Sequence, residues 1–172
     1  MNERVLGYVR TAVTLGVLAL LLAFAVTRGL DAVSEPFPEN EDPPVCVDSA
    51  VSKGDVLRVG GITVSVINAG TKNGLARQTL DDLEEQGFAG GELANQADPD
   101  ILSAQIWSPG GRTAAVRLVA TYLGGRVKVV DRQSSTAGIT VVVGDRFPGV
   151  RKGRFQVKVT KDGTVCGPAS LG

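Results

Sequence analysis

A run of seventeen uncharged residues, from Thr11 to Thr27, limits what this chain can fold into more than any other feature. As an α-helix the run would be about 25 Å long, because each residue adds about 1.5 Å, and the hydrocarbon core of a bilayer is about 30 Å thick. It has no polar face, unlike the amphipathic helices that cover a soluble core. The run therefore predicts one transmembrane helix over residues 11–27.

The charges on either side of this run predict its orientation. Arg4 and Arg10 precede it, whereas the charges in the segment that follows it are mostly acidic. By the positive-inside rule, residues 1–10 form a cytoplasmic stub and everything after the span is exported. Cleavage after Ala25 is an alternative, because Ala23-Phe24-Ala25 has the small-x-small form of a signal-peptide cleavage site. An uncleaved anchor is favoured, since this tripeptide lies inside the apolar run with no polar segment before it.

The composition narrows the classes of function. Lys and Arg total 18, Asp and Glu total 18, and histidine is absent. A net charge of zero disfavours nucleic acid as a partner. The absence of histidine removes Ser-His-Asp and Cys-His nucleophilic sites and the commonest metal ligand. We therefore predict that the protein is not an enzyme, with no catalytic residues, no metal and no cofactor.

An acidic, proline-rich segment separates the predicted span from the rest of the chain. Residues 28–44 carry little that could pack, so they are interpreted as an extended tether. Cys46 and Cys166 frame the exported domain that follows, residues 45–172, and two such cysteines most simply form a disulfide. A lipidated cysteine or two free thiols are the alternatives. A lipidated cysteine would directly follow the apolar run, which Cys46 does not.

Hydrophobic periodicity in the exported part predicts alternating strands and helices. Helices are predicted from residue 75 to 87 and within 112–125. The strands are expected at 56–59 and 62–67, joined as a hairpin by Gly60-Gly61, then at 92–96, 104–107, 127–130 and 139–143, and in a closing hairpin of 155–160 with 165–166. The fold class is therefore α+β. We expect a β-α-β-β-α-β sandwich with extra N- and C-terminal strands, a mostly antiparallel sheet and both helices on one face, preceded by one transmembrane helix.

Several motifs in this part of the chain are similar to those of a known family. They are the run VSVINAGTKNGLARQTLDDLEEQGF, the segment AQIWSPGGRTAAVRLVATYLGG and the closing strand ITVVVGDRF. Together they resemble the LytR C-terminal domain family over about Ile62 to Phe147. The family pattern ends in Gly-x-Asp-Phe, whereas this chain has Gly144-Asp145-Arg146-Phe147.

The resemblance implies a place in the bacterial cell envelope. In this family the domain often follows a phosphotransferase domain that attaches glycopolymers to the cell wall. The stretch between the apolar run and Ile62 is too short for such a domain. The resemblance therefore implies a stand-alone, single-pass envelope protein that lacks the phosphotransferase domain and supports envelope integrity.

Two strand-to-helix junctions are candidate binding sites, Asn68 to Gly74 and Ser108 to Thr113. Each leads into a helix N-terminus, whose unpaired N–H groups suit a carboxylate, a phosphate or sugar hydroxyls. The candidate ligand-binding residues here are Asn68, Gly70, Thr71, Gly74, Arg112 and Thr113. The alternative is that these residues only shape turns and helix caps, as they do in most loops.

A basic region near the C-terminus is the remaining candidate. From Arg112 to Asp162 there are eleven Lys and Arg residues against three Asp. The candidate residues are Arg151, Lys152, Arg154 and Lys158, which could face anionic wall polymers or lipid headgroups. The alternative is a solvated face balanced by the acidic tether. Trp107, the only tryptophan, is interpreted as packing in the core rather than as a platform for sugars.

These observations predict a non-enzymatic, membrane-anchored bacterial envelope protein. Its N-terminus is expected in the cytoplasm and its C-terminal domain outside the membrane. The predicted partners are the membrane, crossed once, and a cell-wall glycan or glycopolymer. The alternative function is a protein-interaction adaptor for wall-synthesis or export machinery, with an envelope protein as its partner.

Overall fold

The computed structural model describes residues 12–26, 44–124 and 127–169, and the chain divides into two units, Met1–Asp42 and Pro43–Gly172. In the first unit, residues 12–26 form helix α1 with exposed side chains. Among the described residues, no helix has both the length and the apolarity needed to cross a membrane. The two ends of the predicted span, the predicted stub and nearly all of the tether lie outside the described residues.

The second unit contains the predicted order of strands and helices. From β3 to β6 the order is β-α-β-β-α-β, with extra strands before and after it, as the periodicity predicted. The elements are β1 Val47–Val51, β2 Val56–Arg58, a 3-10 turn Val59–Gly61, β3 Thr63–Asn68, α2 Leu75–Glu85, β4 Ala89–Asn95, β5 Ala104–Trp107, α3 Ala114–Tyr122, β6 Lys128–Val130, β7 Ile139–Val143, β8 Gln156–Lys158 and β9 Gly163–Gly167.

The main sheet has five strands in the order β4-β3-β7-β5-β6. Strand β3 runs parallel to both β4 and β7, and β5 runs parallel to β6, so only the β5–β7 pair is antiparallel. The prediction of a mostly antiparallel sheet was therefore wrong. The reason is that α2 and α3 each connect two neighbouring strands, and a helical crossover returns the chain in the same direction.

Both predicted hairpins were also wrong. Gly60 and Gly61 lie in the 3-10 turn and do not adopt the positive φ angles that a two-residue hairpin turn requires. Strand β2 pairs with β8 instead, and β1 pairs with β9. Val47 lies opposite Gly167 and Val56 opposite Lys158, so residues 47–58 and 156–167 form one antiparallel ribbon in a single register. We call this pairing the terminal ribbon.

Both helices pack on one face of the five-stranded sheet. Val64, Val66, Val141 and Val143 point towards them and belong to a single core cluster. That cluster also takes in Leu80 and Leu83 of α2 and Leu118 and Val119 of α3, all nearly fully buried. The apolar stripes of the two predicted helices are therefore the surfaces that the fold buries.

A loop covers the other face of the sheet. Ile67, Val142 and Trp107 form a second, smaller cluster there. Ser65 Oγ donates to the carbonyl of Ala137 at 2.6 Å, which ties residues 131–138 over this face. Trp107 is 3% exposed, with the Arg132 guanidinium 4.0 Å from its ring centroid. The interpretation of Trp107 as a packing residue is thus confirmed.

The predicted disulfide is present. Cys46 and Cys166 are bonded, with their Cα atoms 5.4 Å apart and a sequence separation of 120. The bond joins the residue before β1 to β9, next to the point where Asp48 lies opposite Cys166. It therefore ties together the two strands at the outer end of the terminal ribbon.

Candidate functional site

The first candidate junction, which connects β3 to α2, is shaped by Asn68. Its side chain is 93% buried, since 7% of it is exposed. The amide Nδ2 donates to the Lys72 carbonyl at 2.9 Å, and Oδ1 accepts from the Gly70 N–H at 3.1 Å. Gly74 follows with a φ of 78°, the left-handed region that favours glycine. Asn68 and Gly74 thus fix the turn that starts α2.

A carboxylate of the chain itself fills this loop. Asp145 Oδ1 accepts from the N–H groups of Thr71 at 2.8 Å and Lys72 at 3.0 Å, and Oδ2 accepts from the Thr71 hydroxyl at 2.9 Å. A β-carbon at position 70 would collide with this carboxyl group, so glycine is required there. Hydrogen bonds from the Lys72 N–H and the Thr71 hydroxyl lower the pKa of Asp145. The donors of this junction are therefore occupied by an ionised internal group.

The role of Asp145 depends on strand pairing that the sequence did not reveal. Strands β3 and β7 are parallel, and Asn68 lies opposite Val143. Residues that follow these two strands therefore meet at the same edge of the sheet. The parallel pairing of β3 and β7 places the acidic residue after β7 beside the loop after β3. The sequence does not show this pairing, so it does not identify Asp145 as part of the first junction.

The second junction, which connects β5 to α3, is built differently. Thr113 is the N-cap of α3, and its hydroxyl accepts from the Val116 N–H at 3.2 Å. Gly110 and Gly111 both have positive φ, and the Gly110 N–H donates to Asp131 Oδ1 at 3.2 Å. The Arg112 side chain is exposed, with one long contact of 3.4 Å from its guanidinium to the Val127 carbonyl.

Two clefts adjoin this second junction. The smaller, of about 200 Å³, lies between the start of α3 and the chain from Thr160 to Val165. The larger, of about 550 Å³, shares Thr113, Ala115 and β9 residues with it and extends to Ser108 and Ile139. Strands β3 and β5 are antiparallel within the sheet, so their carboxyl ends lie at opposite edges. The structure therefore does not bring the two candidate junctions together.

The predicted basic residues lie beside α3. The chain from residue 151 to 161 runs antiparallel to this helix. At one end the Arg151 N–H donates to the Tyr122 carbonyl at 2.8 Å. The Tyr122 hydroxyl, whose pKa is raised by burial, donates to the Arg154 carbonyl at 2.9 Å. Further along, Arg117 donates to Thr160 Oγ1 at 3.0 Å and to the Lys158 carbonyl at 3.4 Å.

This arrangement collects cations from the helix and the neighbouring segment into one surface, which we call the basic strip. Within the described part of the chain, none of its side chains forms an ion pair. Phe155, 62% exposed, lies in the same segment. The residues of the strip are Arg112, Arg117, Arg151, Lys152, Arg154, Lys158 and Lys161.

The strip unites five predicted site residues from two separate candidates and adds two more. Arg112 of the second junction joins the four predicted cations of residues 151–158. The additions are Arg117 and Lys161, which the basic composition of this region included but did not single out. In the described ranges there is no cluster of three His, Cys, Asp or Glu side chains that could hold a metal ion.

Half of the chain matches a known protein family. The family described as "LytR cell envelope-related transcriptional attenuator" matches residues 61–147. Among solved structures, the soluble domain of a conserved hypothetical secreted protein from Mycobacterium marinum is similar, with a TM-score of 0.43 and 19% sequence identity. The similarity covers 64% of this chain and 78% of that one. No curated protein matches. Because the family match spans half of the sequence, this chain belongs to the cell-envelope-related LytR_C family.

Proposed function

We propose that this protein is a non-enzymatic, single-pass membrane-anchored protein of the bacterial cell envelope, and that it binds an anionic cell-wall glycopolymer through the basic strip. The observation that carries the proposal is the strip itself. Seven cations lie along α3 and the segment beside it, although the whole chain has no net charge. Membership of a cell-envelope-related family supports a partner from the wall.

The shape of the strip suits a linear polyanion. Helix α3 has nine residues and is therefore about 13 Å long, with cations near its start, its middle and its end. Several anionic groups of one polymer could be engaged at once. The guanidinium groups of the strip offer planar, two-pronged donors to phosphate or carboxylate oxygens. Phe155 provides an exposed ring beside Arg154 against which a sugar could pack.

The proposed location outside the membrane rests on the N-terminal charges and on the disulfide. Arg4 and Arg10 precede the apolar run, which favours a cytoplasmic N-terminus. The bond between Cys46 and Cys166 is of a kind that persists in oxidising compartments and is rare in the cytosol. We propose no catalytic role, because the chain has no histidine from which a nucleophile and base pair could be built.

A protein-interaction adaptor is the second candidate. Strands β4 and β6 are the outer strands of the five-stranded sheet. An extended segment of a partner could add to such an edge through main-chain hydrogen bonds. Binding of this kind would depend little on the cations of the basic strip, so the two candidates differ in their response to substitution there.

Co-sedimentation with isolated cell walls tests the first candidate. The full chain in non-ionic detergent is expected to bind walls, and binding should weaken as salt screens exposed charges. Replacing Arg151, Lys152 and Arg154 by Gln should weaken it about a hundredfold, at about 1 kcal/mol per cation near a charged surface. We expect the variant to keep the backbone contacts of Arg151 and Arg154 with α3, because they do not involve the substituted side chains.

A matched variant controls for net charge. The substitutions Arg77→Gln, Lys128→Gln and Arg146→Gln remove the same charge from exposed positions outside the strip. Wall binding by this variant should stay within about twofold of the unsubstituted chain. Equal losses in the two variants would contradict the proposal. Failure of the unsubstituted chain to bind walls, together with capture of an envelope protein by crosslinking in membranes, would favour the adaptor.

A further inference from the structure

The geometry points to a phosphate-binding site in the smaller cleft, between the start of α3 and the chain that leads into β9. The inference rests on the proposed function in one respect: the phosphate group is taken to belong to the wall polymer. The cleft would hold one phosphate group while the rest of the basic strip follows the polymer.

The cleft is lined on both sides by groups that bind oxyanions. Arg112, Thr113 and Arg117 lie on one wall, and Thr160 and Lys161 lie on the other. Cations on two walls favour an anion whose oxygens point in several directions, as those of a tetrahedral phosphate do, over a planar carboxylate. The volume of about 200 Å³ is below the roughly 300 to 1,000 Å³ of clefts that enclose a whole small molecule. A single charged group is the occupant that fits.

Arg117 is already oriented for this role. Its guanidinium donates to Thr160 Oγ1 and to the Lys158 carbonyl, so it bridges α3 and the opposite wall. A guanidinium has five N–H donors, and these contacts use two of them. The remaining donors have no carboxylate partner among the described residues. The orientation of this side chain is therefore fixed by neutral groups, which leaves its charge available.

The one acidic residue in the lining of the cleft, Asp162, does not neutralise the cations around it. Asp162 also lines this space, but its Oδ1 accepts from the backbone N–H of Lys53 at 2.6 Å. Neither Arg112, Arg117 nor Lys161 pairs with it within the described ranges. At the first junction, by contrast, Asp145 fills the loop with an internal carboxylate. The lining of the smaller cleft thus contains three cations and one carboxylate, and that carboxylate is bonded to the Lys53 N–H.

Titration of the full chain with inorganic phosphate at constant ionic strength tests the inference. In non-ionic detergent, amide NMR shifts of Thr113, Lys161 and Thr164 should saturate together. Sulfate should act at the same residues, and acetate should bind at least about tenfold more weakly. Lys161→Gln or Arg117→Lys should each weaken phosphate about tenfold, because each removes about one charge-assisted contact. Arg77→Gln, on α2, should have no effect.

The outcomes separate this inference from the proposed function. Lys161 is exposed, so its substitution tests the site even if the Arg117 variant does not fold. Amide NMR shifts that do not saturate with phosphate, or that spread evenly along the basic strip, would overturn the phosphate site. They would not contradict wall binding by the strip as a whole. Saturable phosphate binding by a chain that does not bind walls would support the site and refute its polymer partner. Glycerol phosphate binding more tightly than bis(glycerol) phosphate would indicate a polymer end, and equal binding an internal phosphodiester.

Discussion

Replacing Cys46 and Cys166 by serine is expected to lower the free energy of unfolding by about 5 kcal/mol. The disulfide spans 120 residues, and closing a loop of that length removes roughly this much conformational entropy from the unfolded chain. Small domains are commonly stable by only about 5 to 15 kcal/mol, so the loss would be a large share of the total. The terminal ribbon should open first, because two-stranded pairings are marginal without further support.

Urea unfolding of the full chain, followed by fluorescence of the buried Trp107, measures this loss. The unsubstituted protein in reducing agent should match the double serine variant, and reducing agent should leave that variant unchanged. A decrease below about 1 kcal/mol would mean that the ribbon holds together without the bond. The disulfide would then contribute little to the free energy of unfolding, which would contradict the prediction.

Replacing Gly144 by alanine is expected to destabilise the protein by about 3 kcal/mol. A β-carbon at this position would collide with the backbone of Ile101 and Leu102. Rotating a side chain cannot relieve the contact, because the atoms in the way belong to the backbone. Two hydrogen bonds also hold the segments together: the Gly144 N–H donates to the Ser103 carbonyl at 2.6 Å, and the Arg146 N–H donates to the Leu102 carbonyl at 2.7 Å. Overpacking in a fixed site commonly costs about 1 to 3 kcal/mol, and opposing backbones place this site at the upper end.

Gly163→Ala is the matched control. A β-carbon at Gly163 meets nothing within 4 Å, and its φ is not positive. The free energy of unfolding of this variant should stay within about 1 kcal/mol of the unsubstituted protein, as for most exposed substitutions. Similar midpoints of urea unfolding for the two alanine variants would show that the segment around Ile101 moves aside easily. That result would contradict the tight packing described here.

The order of elements could be predicted because it is encoded locally. The apolar spacing of Ala76, Leu80 and Leu83 identifies α2, and the β-branched run from Ile139 to Val143 identifies β7. Strand partners are not encoded in this way. The register of the terminal ribbon joins residues about a hundred positions apart, and nothing near Gly60-Gly61 indicates that β2 pairs with β8. Pairings of this kind depend on the whole fold.

The residues of the candidate site also differ in whether local sequence was enough to predict them. The cations of residues 151–158 could be identified from charge alone, and Arg112 and Thr113 from their position before a predicted helix. The participation of Arg117 and Lys161 could not, because it depends on the alignment of residues 151–161 with α3. For the same reason, the sequence did not indicate that Asp145 fills the first junction, which follows from the pairing of β3 with β7.

The proposed wall-binding function depends above all on the side of the membrane on which the unit Pro43–Gly172 folds. Reporter proteins fused after Gly172 measure the location of this unit directly in intact cells. We expect alkaline phosphatase at this position to be active, because it needs an oxidising compartment, and green fluorescent protein carried across the membrane unfolded to stay dark. A fluorescent fusion together with an inactive phosphatase would place the basic strip in the cytoplasm and contradict the proposed function.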